Sequence, residues 1–131
     1  MPDEERHAQG LEVRRAVLGD DYVNSALSTA DDFGREFQRL VTEYCWGAWA
    51  QEDLSLKQRS LNNLCILAAL NRLDEFELHM RGAINNGCTV EEVRETLIQV
   101  AIYAGVPAGV GAFKRARKIY AEEGIDLGTT S

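Results

Sequence analysis

The chain has 131 residues, 45% of them hydrophobic, which suffices for one domain with its own core. Its 14 Lys and Arg stand against 21 Asp and Glu, and the formal charge of −7 argues against nucleic acid or a polybasic membrane contact, which need a basic face. No apolar run approaches the roughly 20 residues of a membrane span, MPDEERHAQG is too polar for a secretory leader, and Cys45, Cys65 and Cys88 have no disulfide or zinc spacing.

A cytoplasmic protein with reduced thiols is therefore expected. Residues 1–10 read as a disordered lead-in and 125–131 as a flexible tail, with a single helical domain over 11–124. LEVRRAVLG forms a short amphipathic helix stopped by Gly19. In DDFGREFQRLVTEYCWGAWAQ, Phe33, Phe37, Leu40, Val41 and Tyr44 recur at helical intervals. Ser55 and Gln58 have capping-box spacing and open the next helix. That helix carries Arg59, Asn62 and Asn63 early, then becomes apolar on every side in LCILAAL. A helix with no polar face must be surrounded, in part by a partner chain in so small a domain.

Residues 72–87, RLDEFELHMRGAINNG, give a helix with Leu73, Phe76, Met80 and Ile84 in one stripe and Arg81 and Asn85 opposite. Gly87 ends it in a left-handed conformation, and Thr89 with Glu92 caps the next. There Val93, Leu97, Val100, Ala101 and Ala104 form a stripe. The chain breaks at Gly105 and restarts at Pro107, and Ala108, Gly109, Gly111 and Ala112 admit a neighbouring helix closely. No alternating segment competes, so the fold class is all-α, a helical bundle.

His79 is the histidine inside this framework. Glu75 lies one turn before it, and Arg72 and Asn86 fall near the same line at the stripe's edge. An acid, an imidazole and a guanidinium at the boundary of a core can have pKa values shifted toward neutrality. The residues alone equally allow an ordinary surface pair worth a few tenths of a kcal/mol. Arg59 opens a helix that turns wholly apolar, so its charge must reach outward or meet an anion. In EYCWGAWA, Trp46 and Trp49 read as core or pocket wall, and Glu43 beside them would have a raised pKa if buried. Tyr103 faces away from its helix's apolar stripe, toward a pocket or a subunit contact. No phosphate-binding loop, G-x-S-x-G or H-E-x-x-H occurs, so neither metal nor cofactor is expected.

EYCWGAWA, KQRSLNNLCILAALNR and ELHMRGAINNGCTVEEVRETLIQVAIYAGVPAG together resemble the 4-carboxymuconolactone decarboxylase family, with similarity over roughly residues 20–123. The resemblance implies an alkylhydroperoxidase-like bundle of about six helices, assembled as a homo-oligomer, a hexamer built as a trimer of dimers. It implies cofactor-independent loss of CO2 from a small anionic lactone, yielding the β-ketoadipate enol-lactone of protocatechuate breakdown. Peroxidases of that superfamily carry C-x-x-C ahead of a histidine that looks equivalent to His79. Here Arg72 and Glu75 stand at those positions, which disfavours the thiol-dependent peroxidase or reductase reading. A non-enzymatic helical assembly protein is the remaining alternative. Under the decarboxylase reading, Arg59 and Arg72 anchor substrate carboxylates. His79 stabilises the lactone oxyanion or delivers a proton, Glu75 or Glu43 is the other candidate acid, and Trp46 and Tyr103 contribute substrate-binding surface.

Overall fold

The structure, a computed structural model, describes residues 2–128. Within them the chain is helical, without a strand. Six helices have nine or more residues: α1 (Glu4–Leu18), α2 (Asp20–Ser28), α5 (Leu56–Ala69), α6 (Leu73–Asn85), α7 (Val90–Ala104) and α8 (Val106–Glu122). A seventh, interrupted run comprises α3 (Arg35–Leu40), a π-helical turn (Val41–Trp46) and α4 (Gly47–Trp49). The sequence alone suggests one domain over 11–124; the chain divides into two compact units, the first ending at Leu56 and the second starting at Lys57.

In the first unit α1 starts at Glu4, which corrects the expected disordered lead-in for all but its first residues; Met1 lies outside the described residues. The side chain of Asp3 caps the helix by accepting from the Arg6 amide at 3.0 Å. Arg6 then donates through Nε to the Glu43 carbonyl at 2.9 Å and through Nη2 to the Tyr44 carbonyl at 3.2 Å. The polarity of MPDEERHAQG hides this order, because it depends on hydrogen bonds rather than apolar burial. Gly10 passes so near the π-helical turn that a Cβ there would sit 2.1 Å from the Thr42 carbonyl oxygen.

The α1 helix stops at Gly19 as its sequence requires. Deeper in the unit, buried Arg14 donates to Thr42 Oγ1 at 3.0 Å and Gln38 Oε1 at 3.1 Å. Val17, Trp46 and Trp49 form the small apolar centre. The row Phe33, Phe37, Leu40 and Tyr44 has the predicted helical spacing from residue 35 onward, but it lies outside, with Phe33 97% exposed.

The second unit has a continuous core in which Leu64, Phe76, Met80, Leu97 and Ile119 are fully buried. Asn71, at φ 58°, takes the left-handed conformation that turns the chain from α5 into α6, and the Arg72 amide closes the turn on the Leu67 carbonyl at 2.9 Å. Glu77 then fastens α6 to α8, accepting from Arg115 at 2.6 Å and Lys118 at 2.9 Å. Gly87 is left-handed, at φ 82°, as predicted. The Thr89–Glu92 capping box is complete, with bonds of 2.9 and 3.0 Å. A Cβ on Gly109 would lie 2.6 Å from that of Ala101, which is the close approach its small neighbours suggested.

Only part of α5 finds cover in its own unit. Leu64 and Ala68 are buried, while Ile66 and Leu70 stay more than half exposed. After α8 the Ile125 amide donates to the Tyr120 carbonyl at 2.9 Å and Ile125 packs on the core. Residues 129–131 of the expected tail lie outside the described residues.

Candidate active site

His79 sits on α6 between Leu78 and fully buried Met80, at the stripe's edge and half-buried. Burial strips solvation from an imidazolium, so the pKa of His79 falls from its usual 6.5 to about 4. This corrects the expected drift toward neutrality: the ring is neutral at pH 7. Its Nδ1 lies 3.5 Å from the side-chain amide nitrogen of Asn63 on α5.

Asn63 and Ser60 are the polar partners that sequence reasoning left out of the site. Ser60 is fully buried and its Oγ accepts from the side-chain amide of Asn86 at 2.9 Å. Together Ser60, Asn63, His79 and Asn86 make a polar seam between two otherwise apolar helix faces. The signal was present: Ser60 and Asn63 are three residues apart, so they share one face of a helix whose remaining inward positions are apolar. Arg59, half-buried, adjoins Ser60 on α5.

Arg72 and Glu75 meet at the first turn of α6, where they line a surface depression of about 330 Å³ with Asp74 and Arg115. Arg115 is held by Asp74 and Glu77, at 3.2 and 2.6 Å. Arg72 has no ion pair among the described residues. A rise of about 1.5 Å per residue sets Arg72 roughly 10 Å before His79 along the axis. An extended arginine and a ring-sized substrate can bridge that interval.

The other predicted residues lie elsewhere. Tyr103, 84% exposed, lines a separate groove of about 680 Å³ between α5 and α7, with Gln58, Cys65 and Gln99. Glu43 and Trp46 belong to the first unit. The Glu43 carboxylate accepts from the Asp3 amide at 2.8 Å, with Arg39 Nε at 3.9 Å, so it helps to order the start of α1. Trp46 is buried against Trp49, ring centroids 4.8 Å apart.

The thiols offer no redox pair. Cys45 is exposed in the first unit, Cys65 is half-buried on α5, and Cys88 is buried before α7. Burial raises the pKa of both Cys65 and Cys88, the latter to about 11, so neither is a reactive thiolate near pH 7.

Comparison with known proteins bears on the same region. Residues 35–118 match the carboxymuconolactone decarboxylase family. The chain is 40% identical to a 4-carboxymuconolactone decarboxylase of Acinetobacter baylyi over 126 residues, covering 95% of this chain and 94% of that one. It is 44% identical over 105 residues to a nitrosuccinic acid decarboxylase of Metarhizium robertsii, covering 79% and 73%. A 4-carboxymuconolactone decarboxylase of Pseudomonas putida is 43% identical over 47 residues, 36% of this chain and 98% of that one.

Proposed function

Because the chain belongs to the carboxymuconolactone decarboxylase family, we propose that it is a carboxy-lyase converting 4-carboxymuconolactone to β-ketoadipate enol-lactone and CO2, without a cofactor, in aromatic catabolism. The observation that carries the site assignment is the half-buried, neutral His79 beside Asn63, two turns from the unpaired guanidinium of Arg72.

Arg72 and Arg59 hold the two carboxylates of the lactone, a task that needs local cations in a protein of charge −7. The bond from the ring to the departing carboxylate breaks, and its electron pair passes through the ring double bond to the lactone carbonyl oxygen. His79 faces that oxygen. With the Asn63 amide donating to Nδ1, the imidazole keeps its proton on Nε2 and donates it as a hydrogen bond to the growing oxyanion. A well-aimed donor of this kind lowers the barrier by about 3–4 kcal/mol.

A neutral imidazole with so low a pKa is a better hydrogen-bond donor here than a source of protons. Glu75, which shares the solvent-open depression with Arg72, relays a proton from water to the ring carbon next to the carbonyl, and the double bond shifts as CO2 leaves. Glu43 and Trp46 are given no chemical step, since their contacts in the first unit account for them. We assign the cytoplasm as the place of action and a homo-oligomer, a hexamer, as the working form. The exposed apolar side chains Ile66, Leu70, Ile102 and Val106 support that assembly. Among the described residues no helix is long and apolar enough to cross a membrane.

The test is an absorbance and CO2-release assay on freshly generated 4-carboxymuconolactone. Wild-type protein should turn it over, and His79→Ala should lose at least about a hundredfold in kcat with the assembly intact. No turnover by the wild type removes the function, and near-normal turnover by the variant removes His79 from it. The fungal relative favours a second reading, in which a nitro-substituted dicarboxylate is the substrate. A higher kcat/KM for nitrosuccinate in parallel assays would establish it.

A further inference from the structure

A cavity of about 160 Å³ opens between α7 and α8, away from the polar seam of His79. Its wall is apolar where Val93, Leu97 and Phe113 contribute, and the first two are buried. An apolar cavity of roughly 150 Å³ accommodates a benzene ring. Three polar groups complete the lining: Arg94 on α7, and Arg117 and Tyr120 on α8.

The two arginines, like Arg72, are cations to which no carboxylate is bound among the described residues. Arg15, Arg35, Arg39, Arg81 and Arg115 each hold a carboxylate. Arg94 and Arg117 hold none among the described residues, although acidic side chains outnumber basic ones 21 to 14. Tyr120 supplies an independent sign. It is 4% exposed, and its hydroxyl is buried with no hydrogen-bond partner among the described residues. A buried hydroxyl left in this way destabilises the fold, and an oxygen of a bound molecule relieves it. Burial, with Cys88 and Glu91 nearby, pushes its pKa up to about 12, so at pH 7 it is a neutral group able to donate. Glu91 is not part of the cavity lining.

We propose that this cavity is a second binding site, for a small monocarboxylate with a ring-sized apolar body, the carboxylate meeting Arg94 and Arg117 and the body meeting Val93, Leu97 and Phe113. A ring fills the volume, and two guanidinium groups without partners fit a carboxylate. The proposal stands independently of the decarboxylase assignment.

Benzoate is the probe, titrated into the methyl-labelled full chain and followed by NMR and by thermal melting. Saturable binding is expected, with contacts from the benzoate ring to the Val93 and Leu97 methyl groups and a rise in melting temperature. The Arg94→Gln/Arg117→Gln double variant, altered at two exposed positions, should fold normally and bind at least about tenfold more weakly. Benzyl alcohol should bind wild type more weakly than benzoate does, and His79→Ala should bind benzoate like wild type. Absence of saturable binding overturns the proposal, as does undiminished binding by the double variant or loss of binding in His79→Ala. Binding that requires removal of the residues after Gly128, or dissociation of the oligomer, assigns the cavity to the chain's own end or to a second copy and equally overturns it.

Discussion

In the first unit, helices are fastened by side chains that reach the backbone or one another: Arg6 to the Glu43 and Tyr44 carbonyls, Arg14 to Thr42 and Gln38. In the second, helices meet across an apolar core that runs from Leu64 through Phe76 and Leu97 to Ile119, with ion pairs such as Glu77–Arg115 at its margin. The apolar stripes differ correspondingly. On α6 Phe76 and Met80 point inward and vanish from the surface, whereas Phe37 on the first unit's interrupted helix, and Phe33 in the turn before it, remain outside. Helical spacing of apolar residues thus announces a helix, and what covers the stripe is a separate matter.

The contrast is tested most severely at Phe76. Truncation to alanine in a close-packed core removes transfer free energy and leaves a cavity, for a loss of about 3–5 kcal/mol. Denaturant unfolding of Phe76→Ala should show that loss; a value under about 1 kcal/mol would mean the second unit's core is loosely packed.

His79 gives the next largest effect, through pH. Its folded pKa of about 4 lies below the usual 6.5, so between these values the unfolded chain binds more protons than the folded one. Stability from this group is complete above pH 6.5 and is lost as the pH falls toward 4, by at most about 3 kcal/mol. The difference in unfolding free energy between wild type and His79→Gln, measured from pH 7 to pH 4, should shrink over that window. A constant difference would place the imidazole in water rather than at the core's edge.

How much of this was legible beforehand follows the same division. In the second unit local signals agree with the core: the Thr89–Glu92 box, left-handed Gly87 and the Phe76–Met80 stripe all stand where the sequence puts them. The first unit was misread at its start because a helix held by Asp3, Arg6 and a close-packed Gly10 has no apolar signature. Likewise His79 could be chosen from its line on α6, but Asn63 and Ser60 come from another helix, and only tertiary packing selects which polar residues face it.

Arg14 probes the first unit's mode of cohesion. Arg14→Met keeps an apolar stem yet removes the donors serving Thr42 and Gln38, and a buried acceptor left unmet costs about 1–3 kcal/mol. Arg115→Met, which breaks a more exposed pair with Glu77 and Asp74, should cost clearly less than that. Equal losses in thermal or denaturant unfolding would erase the distinction between a hydrogen-bonded unit and one with ion pairs at its margin.

Phe33 gives the smallest effect within a single chain and the sharpest reading of what lies outside it. At 97% exposure it contributes little to its own fold, so Phe33→Ser should change unfolding free energy by no more than about 0.5 kcal/mol in dilute protein. With Phe37, Leu40 and Tyr44 it nevertheless forms an apolar row that water solvates poorly. If a second copy covers that row, the same substitution should weaken association, seen by light scattering as a lower mass at concentrations where wild type stays assembled. An unchanged mass at every concentration would assign the row no part in assembly, and the proposed oligomer would have to rest on the exposed faces of α5 and α7.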